Sequence, residues 1–160
     1  MSKITVLGAG GFGIALALLS HNNNHRVTVW SAFRDEAKNL ADLRTNPKLL
    51  DGVYLPDDIE ITTDISCTKD DDITIMAVPS FAVRETAKRL KNVESDSVIA
   101  NVAKGFEGGT MLRLSEVLKE ELPGRKIVVL TGPSHAEEVS RGVPTSIAAV
   151  SENPDAAAFV

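Results

Sequence analysis

A single cysteine among 160 residues excludes an intrachain disulfide, and Cys67 stands between Ser66 and Thr68 with no histidine near it in the sequence. It reads as an inert thiol, because a reactive thiolate needs a positive neighbourhood. Basic charge is short as well. The 17 Lys and Arg face 22 Asp and Glu, a formal net charge of −5, so no nucleic-acid footprint is expected. No apolar run approaches the ~20 residues that cross a bilayer, so membrane insertion is not expected either. The chain enters an apolar strand directly after Met-Ser, with no signal-peptide core. A reducing, cytoplasmic setting fits these features. Internal repeats and low-complexity tracts are missing. The acidic triplet Asp70-Asp71-Asp72 reads as a solvated turn, and no metal site is expected.

What remains is ordinary for a globular chain: 43% hydrophobic and 24% charged residues. The length suits one domain with its own core. Short β-branched runs alternate with helical patterns. Strands are expected at 3–7, 26–30, 59–63, 72–78, 97–102, 126–131 and 145–150. Helices are expected at 11–20, 35–44, 81–90, 110–122 and 135–141, and residues 46–58 read as a loop. Such alternation implies an α/β fold, with a doubly wound, mainly parallel sheet covered by helices on both faces. Continuous rather than alternating apolar strands support that burial. Residues 1–150 form this domain in the reading. Asn153-Pro154-Asp155 is a helix start, with Asn as cap and Pro in the first turn. Residues 151–160 are therefore expected to open a helix that leads to a second domain, the chain being a fragment.

Gly8-Ala9-Gly10-Gly11-Phe12-Gly13 fits G-x-G-x-x-G directly after a strand and at the start of a small-residue helix. That context makes it a candidate dinucleotide-binding turn. Gly8 would form the tight turn, Gly10 would let the backbone approach a pyrophosphate, and Gly13 would let helix and strand pack closely. The helix N-terminus would supply free N–H groups to the phosphates. No Gly-Lys-Ser/Thr follows, so a Walker loop is excluded. After the second strand the sequence is Trp30-Ser31-Ala32-Phe33-Arg34, without the acid that usually bonds an NAD ribose. Arg34 could pair with a 2′-phosphate, so NADP(H) is favoured and NAD(H) stays possible.

Three further strand ends carry chemistry. Pro79 fits a rigid turn beside a cofactor, whereas Arg84 reads as a surface residue. Lys104 would bring an ammonium to the same sheet edge, where it could stabilise charge developing on a substrate oxygen. In Thr131-Gly132-Pro133-Ser134-His135-Ala136-Glu137, Ser134 and Glu137 have capping-box spacing. Ser134 and His135 are adjacent and lack a supporting acid, which argues against a nucleophilic pair. His21 and His25 lie beyond the other end of the first helix and read as surface residues.

These stretches resemble the bacterial NAD(P)-dependent glycerol-3-phosphate dehydrogenase family. The likeness runs through GAGGFGIALA at 8–17, VTVW at 27–30, YLP at 54–56, AVPSFAVRE at 77–85, KGFE at 104–107 and LTGPSHAEEVSRGVPTSIAA at 130–149. It implies a Rossmann-like N-terminal domain of a cytoplasmic enzyme that reduces dihydroxyacetone phosphate to sn-glycerol 3-phosphate with NAD(P)H, for phospholipid synthesis. The implied partner is that small phosphorylated three-carbon substrate, with a homodimer possible. By resemblance, Gly11 and Phe12 meet the pyrophosphate and Arg34 the adenosine side. Lys104 touches cofactor and substrate, Gly132 and Ser134 hold substrate, and Ala136 borders the nicotinamide. Family members commonly have Ser-Trp where this chain has Gly11-Phe12, so a Gly11 contact is through its backbone. The proton-transferring lysine of the family belongs to a C-terminal domain outside these residues, so cofactor binding with little turnover is expected. A β-hydroxyacid or 6-phosphogluconate-type dehydrogenase and a non-catalytic NAD(P)-sensing module are the alternatives.

Overall fold

The computed structural model describes residues Met1–Val160. One sheet gathers β1 (Lys3–Leu7), β2 (Arg26–Trp30), β3 (Glu60–Thr62), β4 (Ile73–Met76), β5 (Val98–Asn101), β6 (Ile127–Thr131) and β7 (Ala148–Val150) in the order β3-β2-β1-β4-β5-β6-β7. The first six strands are parallel, and β7 runs antiparallel beside β6. Helices α1 (Gly11–Asn22), α2 (Arg34–Leu43), α3 (Val83–Leu90), α4 (Leu114–Glu121), α5 (Ala136–Ser140) and α6 (Pro154–Phe159) complete the fold.

The central strands β1, β2, β4 and β5 are apolar because both faces are covered. One face carries Val6, Val29, Ile75 and Ala100 against Ile14 and Ala17 of α1, Leu40 of α2 and Val139 of α5. The opposite face carries Leu7, Trp30, Met76 and Ile99 against α3 and α4. Helix α3 shows the pattern that fits this placement. Val83, Thr86, Ala87 and Leu90 are buried at spacings of three and four, while Glu85 and Lys88 point outward. The strand order reverses between β1 and β4, and such a reversal opens a crevice beyond the carboxyl ends of the strands. The expected doubly wound sheet is therefore present, with β1 and β2 at the expected bounds, β3 to β6 shorter by one or two residues at an end, and β7 beginning three residues later than expected.

Four expectations need correction. The fourth long helix starts at Leu114 rather than at residue 110. Residues 105–113 fold instead as a tight loop, with Met111 at φ +59° and an isolated bridge between Phe106 and Arg113. Helix α2 stops before Arg44, which turns left-handed at φ 57° and donates through Nη1 to Ile59 O at 2.7 Å. The acidic triplet is a solvated turn only in part, Asp70 and Asp72 being exposed and Asp71 not. Asp71 is buried and accepts from the Thr5 and Thr74 hydroxyls at 3.1 Å each. Thr74 lies 2.9 Å from Ser97 Oγ, which accepts from Arg125 Nη2 at 2.7 Å, so a polar chain runs through the amino edge of the sheet. Asp72 accepts from the Lys3 N–H at 2.8 Å and aligns β4 with β1. His21 and His25 are half-buried rather than on the surface: His21 Nε2 lies 2.9 Å from Asp58 Oδ2, and His25 Nδ1 accepts from the Ser2 N–H at 3.1 Å.

Burial holds the Asp71 carboxyl above its ordinary pKa, against the opposing hydrogen bonds of Thr5 and Thr74 and the charge of Lys3. A raised carboxyl pKa means that ionisation opposes folding. The contribution is full below the unfolded value of about 3.9 and is lost as pH rises through the folded one. Asp71→Asn removes that titration. The stability difference between variant and wild type, read from urea midpoints, is predicted to move in favour of Asn as pH rises from about 3 to 7. A pH-independent difference would contradict this account.

Candidate cofactor cleft

Gly8 directly follows β1, with its N–H donating to Trp30 O at 2.8 Å and with φ at +123°, a conformation that suits glycine. A Cβ there would lie 2.7 Å from Ala77 O, and one on Gly13 would lie 2.1 Å from Gly8 O. The turn is thus wedged between the end of β4 and the first turn of α1. Gly10 differs, since nothing lies within 4 Å of the place its Cβ would occupy. It is the N-cap of α1, which has neither a side-chain cap nor an acid in its first turn. The first intrahelical bond is Ile14 N–H to Gly10 O, so the N–H groups of Gly11, Phe12 and Gly13 have no acceptor in the protein. Three free donors at the positive end of a helix dipole, below open space, suit an anion.

Above this turn lies a cleft of about 780 Å³. Gly8, Gly10, Phe12, Pro79, Lys104, Ser134 and Ala136, all expected at the site, line it together. Gly11, Gly13, Gly132 and Arg34 are absent from its walls. Gly13 serves the packing just described. At Gly11 a Cβ would lie 2.6 Å from Leu49 O, so the missing side chain makes room for residues 46–50, whose Leu49 joins the cleft. Gly132, at φ +154°, allows the 132 turn to meet Ser146 O, 2.7 Å from the site of its would-be Cβ.

The end of the cleft beyond β2, where an adenosine contact was expected, departs most from expectation. Arg34 is the exposed first residue of α2 and stands outside the cleft. An acid that the sequence seemed to lack is supplied by Glu36, which lines the cleft and accepts from the Ser31 hydroxyl. Ser31 Oγ also accepts from the Phe33 N–H at 3.1 Å, and this turn folds the start of α2 back towards the strand end. Linear spacing from β2 gave no hint of Glu36. Phe33 and Phe81, at 71% and 82% exposure, leave aromatic surface in the same cleft, and Arg89 of α3 reaches it.

At the other end, Asn101 Nδ2 donates to Ala103 O at 3.1 Å and shapes the turn into Lys104. Lys104 Nζ lies 3.5 Å from Ser134 O, so the β5 and β6 loops approach across the cleft. Arg84 is not a free surface residue. Its Nε and Nη2 donate to the two oxygens of Glu107 at 2.6 and 2.8 Å, and further N–H groups reach Glu120 and Glu121 at 2.8 and 2.5 Å. The Thr110 hydroxyl also donates to Glu107. Arg84 chiefly, and Thr110 after it, hold the Glu107 carboxyl down at about 2. Glu107 thereby ties the loop that carries Lys104 to α3 and α4. The Ser134–Glu137 capping box does not form. Helix α5 begins one residue later, with His135 as N-cap, so Glu137 is at the second helical position rather than the third. Ser134 Oγ faces Gly132 O at 3.5 Å instead. No cluster of three or more His, Cys, Asp and Glu suits a metal. Burial lifts the Cys67 thiol to about 11, in keeping with an inert role.

Strand order and the uncapped glycine turn together define a dinucleotide-type Rossmann domain. The family model described as NAD-dependent glycerol-3-phosphate dehydrogenase N-terminus matches residues 3–157, and the chain belongs to that family. A glycerol-3-phosphate dehydrogenase [NAD(P)+] from Fusobacterium nucleatum is 43% identical over 159 residues, covering 97% of this chain and 48% of that protein. One from Prosthecochloris aestuarii is 48% identical over 159 residues, covering 96% and 48%. The crystal structure of glycerol-3-phosphate dehydrogenase from Coxiella burnetii superposes with a TM-score of 0.89 at 30% identity, over 96% of this chain and 48% of that one. The chain spans about half the length of the relatives it matches. The family match sets aside the β-hydroxyacid and 6-phosphogluconate alternative. No helix is long and apolar enough to cross a membrane.

Replacing Arg84 by Ala would leave three carboxylates facing one another without their shared cation. The Met111 and Leu112 amides, now bonded to Glu107 O and the Thr110 hydroxyl, are predicted to exchange with solvent about tenfold faster. Hydrogen exchange read by mass spectrometry checks this, and unchanged protection of residues 105–113 would contradict the anchoring role.

Proposed function

We propose that this chain forms the nicotinamide-cofactor-binding part of a cytoplasmic oxidoreductase that interconverts dihydroxyacetone phosphate and sn-glycerol 3-phosphate. The observation that carries the reading is the set of three unpaired N–H groups on α1 below the open space at Gly10, placed where the strand order reverses. Those donors and Phe12 would hold the pyrophosphate. When bound, the cofactor supplies or takes up the hydride. Pro79 would wall the cleft rigidly, and the small side chain of Ala136 would leave room for the nicotinamide ring. Lys104 would hydrogen-bond the substrate oxygen and stabilise charge on it. Ser134 and the Gly132 backbone would hold the substrate at the same edge.

Both forms of the cofactor suit the adenosine end. Glu36 can accept from a ribose 2′-hydroxyl, and a guanidinium at the same end can meet a 2′-phosphate. Lys104 has no polar side-chain partner to relay a proton, its one contact being the Ser134 carbonyl. Cofactor binding with little turnover by these residues alone follows. Calorimetric titration with NADH and with NADPH is predicted to show one dinucleotide bound per chain, with slow or no oxidation when dihydroxyacetone phosphate is added. Failure to bind either dinucleotide would overturn the proposal.

A further inference from the structure

We propose that Arg89, in the last turn of α3, receives the 2′-phosphate of NADP(H) and so governs how well the cleft accepts the phosphorylated cofactor. This rests on the cofactor reading above. Arg89 lines the cleft together with Glu85 and Thr86, one turn earlier on the same helix, and with Ser31 and Phe33 from the β2 end. Its guanidinium carbon lies 5.9 Å from the centroid of the Trp30 ring. That ring is itself fixed, being 1% exposed and donating through Nε1 to Thr63 O at 3.0 Å. A guanidinium resting on an indole face is held in place by the ring's negative quadrupole.

The neighbouring charges leave Arg89 as the cation that can serve. Arg84 is engaged by Glu107, Glu120 and Glu121, and Lys88 by Glu85 at 2.7 Å. Arg34 stands outside the cleft. Arg89 makes neither an ion pair nor a side-chain hydrogen bond, so its planar fork of N–H donors is free. Such a fork matches the geometry of a phosphate dianion. Glu36, held by Ser31, suits the 2′-hydroxyl of NAD(H) and repels a 2′-phosphate. A cation lining the same cleft as that acid would let it take both cofactors.

The test is the dissociation constant for NADPH and for NADH with wild type, Arg89→Ala and Arg34→Ala, each confirmed folded by circular dichroism. Arg89→Ala is expected to weaken NADPH about tenfold or more while NADH changes less than about twofold, with Arg34→Ala near wild type for both. Arg89→Lys, which keeps the charge without the fork, is expected to fall between, and it serves if the Ala variant does not fold. Equal loss of both cofactors in Arg89→Ala, selective loss of NADPH in Arg34→Ala, or a wild type that binds NADH alone would overturn the assignment. A wild type that binds neither dinucleotide overturns the cofactor reading first, and this one with it.

Discussion

The contact between the β1 turn and α1 is the constraint on which the rest of the structure depends. A Cβ on Gly13 would sit 2.1 Å from Gly8 O, closer than any side chain permits. Gly8 in turn presses on Ala77, just past β4. Backbone thus meets backbone at the reversal of strand order, and α1 is aimed with its free N–H groups at the crevice. Its small residues, Ala15 and Ala17 among them, allow the same close approach further along the sheet. Larger residues in this turn would lift α1 off β1 and close the space above Gly10.

The two edges of the sheet have different tasks. At the amino edge, Arg125, Ser97, Thr74 and Asp71 form a satisfied polar chain, and Asp72 aligns β4 with β1. A partly satisfied buried network would be costly, so this edge favours one register. At the carboxyl edge the loops carry groups with free valence. The Lys104 loop is held from behind by Glu107 and Arg84, and Arg89 is held by Trp30. The Lys104 loop is thus positioned by side chains that stand outside the cleft.

Much of this was legible in the sequence because it depends on local pattern. Continuous apolar runs marked the buried strands, and the glycine spacing marked the turn. The motifs KGFE and GPSHAEEV carried the family resemblance that the comparisons bear out. What escaped depends on tertiary placement. Glu36 reaches the cleft only because Ser31 folds the start of α2 back, and Arg89 lines it beside Ser31 and Phe33 only because α3 packs beside Trp30. Asp71 looked solvated within an acidic run, yet Thr5 and Thr74 draw it inside. Residues 110–113 have a helical apolar pattern, but Glu107 captures the Thr110 hydroxyl and the chain turns instead.

Gly10 offers the most direct test of the central claim that the open space over α1 is a ligand's place rather than a feature of the fold. It has ordinary extended backbone angles, φ −70° and ψ 170°, and nothing stands within 4 Å of its would-be Cβ. Gly10→Ala should therefore cost the free protein less than about 0.5 kcal/mol, as at other unobstructed surface positions. The measurement is NADH affinity beside thermal stability for this variant. The account predicts an unchanged melting temperature with affinity reduced at least about tenfold, a loss of roughly 1.4 kcal/mol or more. Wild-type affinity in the Ala variant would contradict it.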